Sequence, residues 1–133
     1  MRSRTTIDEL LANARQGLVR LGPTDAREAV QAGAVLIDIR SETQIARDGV
    51  VPEAIVIPRN VLEWRLDPSS THRHPNAPGL DGHVIVMCDA GYQSSLAAAT
   101  LQELGFARAT DLDGGFQAWR EAGLPVQQGA EPS

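Results

Sequence analysis

VIVMCDAGYQSSLAAATLQELG, Val84 to Gly105, decides how this chain is read. Val84–Met87 is apolar without interruption, as a strand buried on both faces of a covered parallel sheet must be. A short turn follows, and from Ser94 onward Ala97, Leu101 and Leu104 recur at helical spacing until Gly105 stops the run. A strand that runs through a tight loop into a helix is a β-α unit. In open sheets built of such units, ligands bind in the loops outside the carboxyl ends of the strands, and Cys88 stands at that end.

Cys88 is the one cysteine of the chain, and two readings of it stand side by side. A lone cysteine closing an apolar strand is often a small buried hydrophobe. Alternatively, the residues between the strand and the helix, Asp89, Ala90, Gly91, Tyr92, Gln93 and Ser94, curl so that their backbone N–H groups converge. They then form an anion nest at the positive end of the helix dipole. A thiolate held there is stabilised and nucleophilic. Gly91 can take the left-handed backbone conformation such a curl needs. Ser94 or Ser95 can cap the helix, and a serine hydroxyl can hydrogen-bond the sulfur. Asp89 acts in the opposite direction, because a carboxylate beside sulfur disfavours the thiolate.

The flanking sequence repeats the β-α pattern. Thr6 and Glu9 make a capping box for an amphipathic helix in which Ile7, Leu10, Leu11, Ala14 and Leu18 recur at helical spacing up to Gly17 and just beyond. Gly22 to Asp25 supply a turn and an N-cap, AREAVQA a second helix stopped by Gly33, and AVLIDIR a strand ending at Asp38. AIVI (Ala54 to Ile57) and HVIVM (His83 to Met87) are expected to be strands apolar on both faces. LDPSSTHRHPNAPGLDG, between Trp64 and His83, reads as a long surface loop. ATDLDGG is a short strand with a glycine turn, and FQAWREAG is a last helix with Phe116 and Trp119 on one side. We expect three segments: an N-terminal helix over 1–17, one domain over 18–126, and a flexible polar tail over 127–133.

Composition narrows the function. At 133 residues the chain suits one domain with a core independent of disulfides, and a single cysteine excludes an internal disulfide or a multi-cysteine metal site. A net charge of −5 and the lack of a basic cluster speak against nucleic-acid binding. All 12 basic residues are arginine, to which we attach little functional weight. MRSRTTIDELLANARQG has no apolar stretch of the signal-peptide kind, and no run reaches membrane-spanning length, so a cytoplasmic chain without membrane partners is expected.

Four segments, in order and spacing, resemble the single-domain rhodanese sulfurtransferases: LIDIR (Leu36 to Arg40), DGVVPEAIVIP (Asp48 to Pro58), VIVMCDAGYQSS, and DLDGGFQAWREAGLPV (Asp111 to Val126). The resemblance covers residues 18–126. It implies a rhodanese-like α/β fold, a central parallel sheet flanked by helices on both faces, with Cys88 at the floor of a shallow pocket. It also implies a reaction without cofactor. Cys88 takes a sulfane sulfur from a donor such as thiosulfate, keeps it as a persulfide cradled by the loop amides, and yields it to cyanide or a thiol acceptor. Donor and acceptor, small molecule or protein, are the partners this implies.

The sequence departs from that pattern in two places. Loops of this family often read Cys-x-x-Gly-x-Arg-Ser, and Gln93 stands at the arginine position, leaving the loop without a cation. Val50 and Glu53 replace a histidine and a glycine in the second segment. With Asp89 present and Gln93 in place of arginine, weak affinity for thiosulfate is expected, with preference for a less anionic persulfide or a protein donor. The related cysteine phosphatases need an arginine six residues after the cysteine, and Ser94 is there instead. A third reading is a non-catalytic module that binds or regulates a partner, which the missing loop cation favours and the retained Cys88 disfavours.

Outside the loop, Asp38 and Arg40 are expected to form a structural ion pair that supports the pocket, with substrate binding as the alternative. Arg59, at a strand tip, is a candidate for the missing cation, and Arg47 reads as a solvated surface residue. His72 and His74 form His-x-His, but with too few further ligands for a metal site. Trp64 is expected in the core or the pocket wall, Trp119 in the core. Gly114 and Gly115 are expected to permit close backbone packing near the pocket.

Overall fold

The computed structural model describes residues 3–128. Its centre is a four-stranded parallel sheet of β1 (Val35–Asp38), β2 (Ile55–Val56), β3 (Val84–Met87) and β4 (Thr110–Asp111), in the order β2-β1-β3-β4. The helices are α1 (Ile7–Gln16), α2 (Pro23–Gln31), α3 (Glu42–Asp48), α4 (Leu62–Leu66), α5 (Gln93–Glu103) and α6 (Gly115–Glu121), with a 3-10 turn over Arg59–Val61. This is the expected α/β sheet flanked by helices.

Alternation along the central strands divides the core in two, because successive side chains point to opposite faces. On one face Ile37, Val84 and Val86 meet Leu62 and Leu66 of α4, Ala97, Ala98 and Leu101 of α5, and Phe106. On the other, Leu36, Ile85 and Met87 meet Ala26 of α2 and Phe116 and Trp119 of α6. The register of β1 on β3, Asp38 opposite Met87, brings both strand ends to one edge. The loops after them form the site there.

The Thr6–Glu9 capping box is present, with Thr6 N–H donating to Glu9 Oε1 at 2.9 Å and Glu9 N–H to Thr6 Oγ1 at 3.1 Å. Several expectations need correction. The AIVI strand is only two residues long and lies at the sheet edge, so Val56 is exposed. Trp64 is 58% exposed: α4 turns Leu62 and Leu66, four apart, to the core, which sends Trp64 to the other side. Helix α3 was not foreseen, although Ser41 and Gln44 form a capping box that starts it. Gln127, the first residue of the tail expected to be flexible, pairs with Val50 in both directions at 2.7 and 2.8 Å, so the chain is held through that residue. Residues 129–133 of the expected tail lie outside the described residues.

Candidate active site

Cys88 follows β3 directly and is 7% exposed, at the floor of a cleft of about 500 Å³. Its sulfur is turned toward the loop's amides. Gly91 N–H donates to Sγ at 3.2 Å and Ser94 N–H at 3.4 Å. Ser94 is the second residue of α5, so its amide is one of those a helix start leaves without a backbone partner, and it adds the positive end of the helix dipole. Of the six loop residues expected to converge, Gly91 and Ser94 direct their amides at the sulfur.

The loop keeps this shape because its carbonyls are satisfied elsewhere. Phe116 N–H donates to Cys88 O at 2.8 Å and Gln117 N–H to Asp89 O at 3.1 Å, which ties the first two carbonyls of the loop to the start of α6. Two glycines make the approach possible. Gly91 has φ +89°, and a Cβ there would lie 2.7 Å from Gly114 N. Gly115 has φ +63°, and a Cβ there would lie 2.6 Å from the carbonyl oxygens of Cys88 and Asp89. The expected role of the Gly114–Gly115 pair is thus present at the base of the loop.

The serine hydroxyls do not reach the sulfur. Ser94 Oγ and Ser95 Oγ both donate to Asp111 Oδ2 at 2.8 Å, and neither caps α5, whose N-cap is Tyr92 without a side-chain bond. Asp111 is fully buried and also accepts from Arg20 Nε at 2.9 Å and Nη2 at 3.2 Å. A buried carboxylate with four donors forms the floor under the loop, consistent with the rule that buried charge must be paired.

The other candidate residues divide by place. Asp89, Ala90, Tyr92 and Gln93 line the cleft together with Arg40 and Arg59, whereas Gly91 and Ser94 face the sulfur with their amides. Asp38 lies behind Arg40: Arg40 Nη2 meets Asp38 Oδ2 at 2.8 Å with both side chains buried, and also donates to Gly49 O at 2.8 Å. The Arg40 guanidinium lies 3.8 Å over the Phe116 ring, so Asp38 and Arg40 form a buried ion pair packed on that ring. Arg59 is tied to Glu63, with Nη1 2.9 and 3.0 Å from its carboxylate oxygens. Asp89 Oδ1 accepts from Gln117 Nε2 at 3.0 Å, and the same amide nitrogen donates to Asp48 at 3.2 Å. Arg47 is exposed and paired with Asp48. Sequence reading missed Asp111, Gln117, Arg15 and Arg20, all distant in the chain from Cys88.

The family model described as rhodanese-like domain matches residues 22–122. This chain belongs to the rhodanese-like domain family. Among similar proteins is the thiosulfate sulfurtransferase GlpE of Ectopseudomonas mendocina, 35% identical over 114 residues, covering 84% of this chain and 94% of the relative. Among solved structures, a Rhodopseudomonas palustris protein of unknown function, described as a possible tyrosine phosphatase, aligns with TM-score 0.85 at 32% identity, covering 96% of this chain and 98% of that one. The polysulfide-sulfur transferase homodimer of Wolinella succinogenes aligns with TM-score 0.72 at 27% identity, covering 92% and 86%. This rhodanese-like chain is a sulfurtransferase of the rhodanese type.

Proposed function

We propose that Cys88 carries the transferred sulfur as a persulfide and that the preferred donor is a persulfide or polysulfide, small or protein-borne, over thiosulfate. The observation that carries this reading is the pair of amides, Gly91 and Ser94, on Cys88 Sγ. In the first step the Cys88 thiolate attacks the outer sulfur of the donor. The sulfur–sulfur bond of the donor breaks, its electron pair leaves with the donor fragment, and a new bond forms to Cys88. The negative charge then rests on the outer sulfur of the Cys88 persulfide, beside the loop that held the thiolate. In the second step an acceptor thiolate or cyanide attacks that outer sulfur, and Cys88 leaves as thiolate. Backbone donors serve both states and undergo no reorganisation between them.

The donor preference follows from the cleft. Its two arginines already face carboxylates, Arg40 that of Asp38 and Arg59 that of Glu63, and Gln93 supplies no charge. Thiosulfate, with two negative charges, meets Asp89 on the same wall. A neutral or singly charged donor loses less by entering. The name of the Wolinella neighbour supports sulfane chains as a donor class. A reducing compartment such as the cytoplasm suits a lone thiol of this kind. At the position of a phosphatase clamp arginine is Ser94, whose hydroxyl is committed to Asp111.

Intact mass after incubation with inorganic polysulfide tests the persulfide: the gain of one sulfur, absent in Cys88→Ser, is expected. A protein that takes up no sulfur from any donor is a partner-binding module instead. Steady-state kinetics test the donor. A low-micromolar KM for thiosulfate overturns the preference while leaving the persulfide intact.

A further inference from the structure

Gly91 is gripped from two sides. Its amide donates to Cys88 Sγ, and its carbonyl accepts from Arg15 Nη2 at 2.8 Å and from Arg20 Nη2 at 2.9 Å. Neither arginine belongs to the loop. They lie 76 and 71 residues away in the chain and precede residue 22, where the family match begins. Each has a second anchor that sets its direction. Arg15, in the last turn of α1, also donates from Nε to Ser95 Oγ at 3.0 Å. Arg20 is held on Asp111 through two nitrogens and reaches Asp113 at 3.2 Å.

We infer that Arg15 and Arg20 are positioning residues for the sulfur loop: they hold the Gly91 carbonyl so that its amide stays on the Cys88 sulfur, and they supply behind the loop the positive charge that Gln93 does not supply within it. This rests on the reading of Cys88 as the sulfur carrier. The physical need is specific. Gly91, without Cβ and at positive φ, is the loop residue freest to rotate, and a flip of its peptides would take a donor from the sulfur. Two charge-assisted bonds to the Gly91 carbonyl fix the Gly91–Tyr92 peptide, which leaves Gly91 less freedom to turn its own N–H, on the preceding peptide, away from the sulfur.

The two arginines differ in charge balance. Arg20 shares its charge with Asp111 and Asp113, whereas Arg15 forms no ion pair with a carboxylate among the described residues. Burial acts against the Arg20 cation. The hydrogen bond and charge of Asp111, then the charges of Asp113 and Cys88, outweigh burial and raise its pKa above the ordinary arginine value. Helix α1 has no buried residue, and its Ile7 and Leu10 are exposed. A helix without a fully buried residue thus reaches the reactive loop through Arg15.

The test uses the full-length chain with Arg15→Gln, Arg15→Lys and Arg20→Lys. Cys88 is alkylated with iodoacetamide at neutral pH and, separately, loaded with inorganic polysulfide, while thermal unfolding is followed in parallel. Arg15→Gln is expected to slow both reactions about three- to tenfold, the loss of one charge-assisted bond. Its unfolding midpoint should move by only a few degrees. Arg15→Lys recovers part of the rate, since an ammonium can meet Gly91 O but does not keep the fork to Ser95. Arg20→Lys keeps a cation on Asp111, gives up the second arm to Gly91, and slows both reactions similarly. Wild-type rates in Arg15→Gln and Arg20→Lys overturn the inference. So does a loss that tracks the unfolding midpoint and is the same for Gln and Lys at position 15, which makes the arginine a packing residue only. If the wild-type chain takes up no sulfur while alkylation keeps the expected order, the transfer reading fails and the clamp stands.

Discussion

Asp111 accepts the Ser94 hydroxyl at 2.8 Å, while the amide of the same serine points at Cys88 Sγ from 3.4 Å. One residue is thereby held by its side chain from below and used by its backbone from above. The carboxylate that holds it is fully buried and neutralised by Arg20. In Asp111→Asn the serine contacts can be remade in part, but Arg20 is left without its main counter-charge. Because Arg20 keeps 18% of its side chain exposed, the cost is discounted from that of a fully buried pair, to about 2–3 kcal/mol. Denaturant unfolding measures it, and a loss below about 0.5 kcal/mol would show that solvent and Asp113 compensate Arg20.

The glycine pair beneath the loop gives a sharper steric prediction. Gly115→Ala places a methyl group 2.6 Å from two carbonyl oxygens and asks alanine to hold φ +63°. The backbone strain alone costs about 1–3 kcal/mol, and relief of the clash must move the Cys88–Asp89 carbonyls. We expect Gly115→Ala and Gly91→Ala to fold with lowered midpoints and to lose most sulfur loading. A variant that loses stability but loads sulfur at the wild-type rate would separate loop shape from reactivity.

On the rim, Asp48 gathers Arg47, Gln117 and Arg120. The hydrogen bond from Arg47 is the largest influence, and it lowers the Asp48 carboxyl from 3.8 to about 2. The folded value lies below the unfolded one. The contribution is therefore complete above pH about 4 and is lost as pH falls toward 2. Asp48→Asn should flatten the acid side of the stability curve over that interval and leave the neutral side with the same slope. Chemical denaturation at a series of pH values reads this directly, and an unchanged acid limb would assign the acid loss to other carboxylates.

What the sequence disclosed, and what it withheld, follows from the range of the interactions. The capping box of α1, the buried strand before Cys88 and the Ala97–Leu101 face of α5 are written in local pattern, and each is present. Helix α3 has seven residues and no buried one, so it leaves no hydrophobic period, and only its Ser41–Gln44 cap marks it. Trp64 was misplaced because size suggested burial where a five-residue helix has only one inward face. The serines were misassigned for a topological reason. Asp111 comes beside them only because β4 pairs with β3, Val86 opposite Asp111. Arg15 depends on how α1 seats on α5, and Arg20 on the bridge of Leu21 to Leu112 beside β4, neither of which local spacing encodes.

Gln93 is the position where sequence and cleft agree most directly on specificity. It is exposed, begins α5 and lines the cleft with Cys88, and the loops this one resembles often carry arginine there. In Gln93→Arg the new guanidinium has open space and no bond to displace, since Gln93 makes no side-chain hydrogen bond among those of the described residues. It would add one charge-assisted contact to a dianionic donor in a cleft whose own arginines are already paired. We expect KM for thiosulfate to fall about three- to tenfold. Because the contact is made in the bound donor as well as in the transition state, kcat should change less. Loading from inorganic polysulfide should change least, and Gln93→Lys should give a smaller gain because it lacks the planar fork. Asp89, on the same wall, sets the limit: if it captures the new cation, KM stays where it was, and Gln93→Arg combined with Asp89→Asn then restores the fall. An unchanged KM in both the single and the double variant would mean that cleft charge does not govern donor choice.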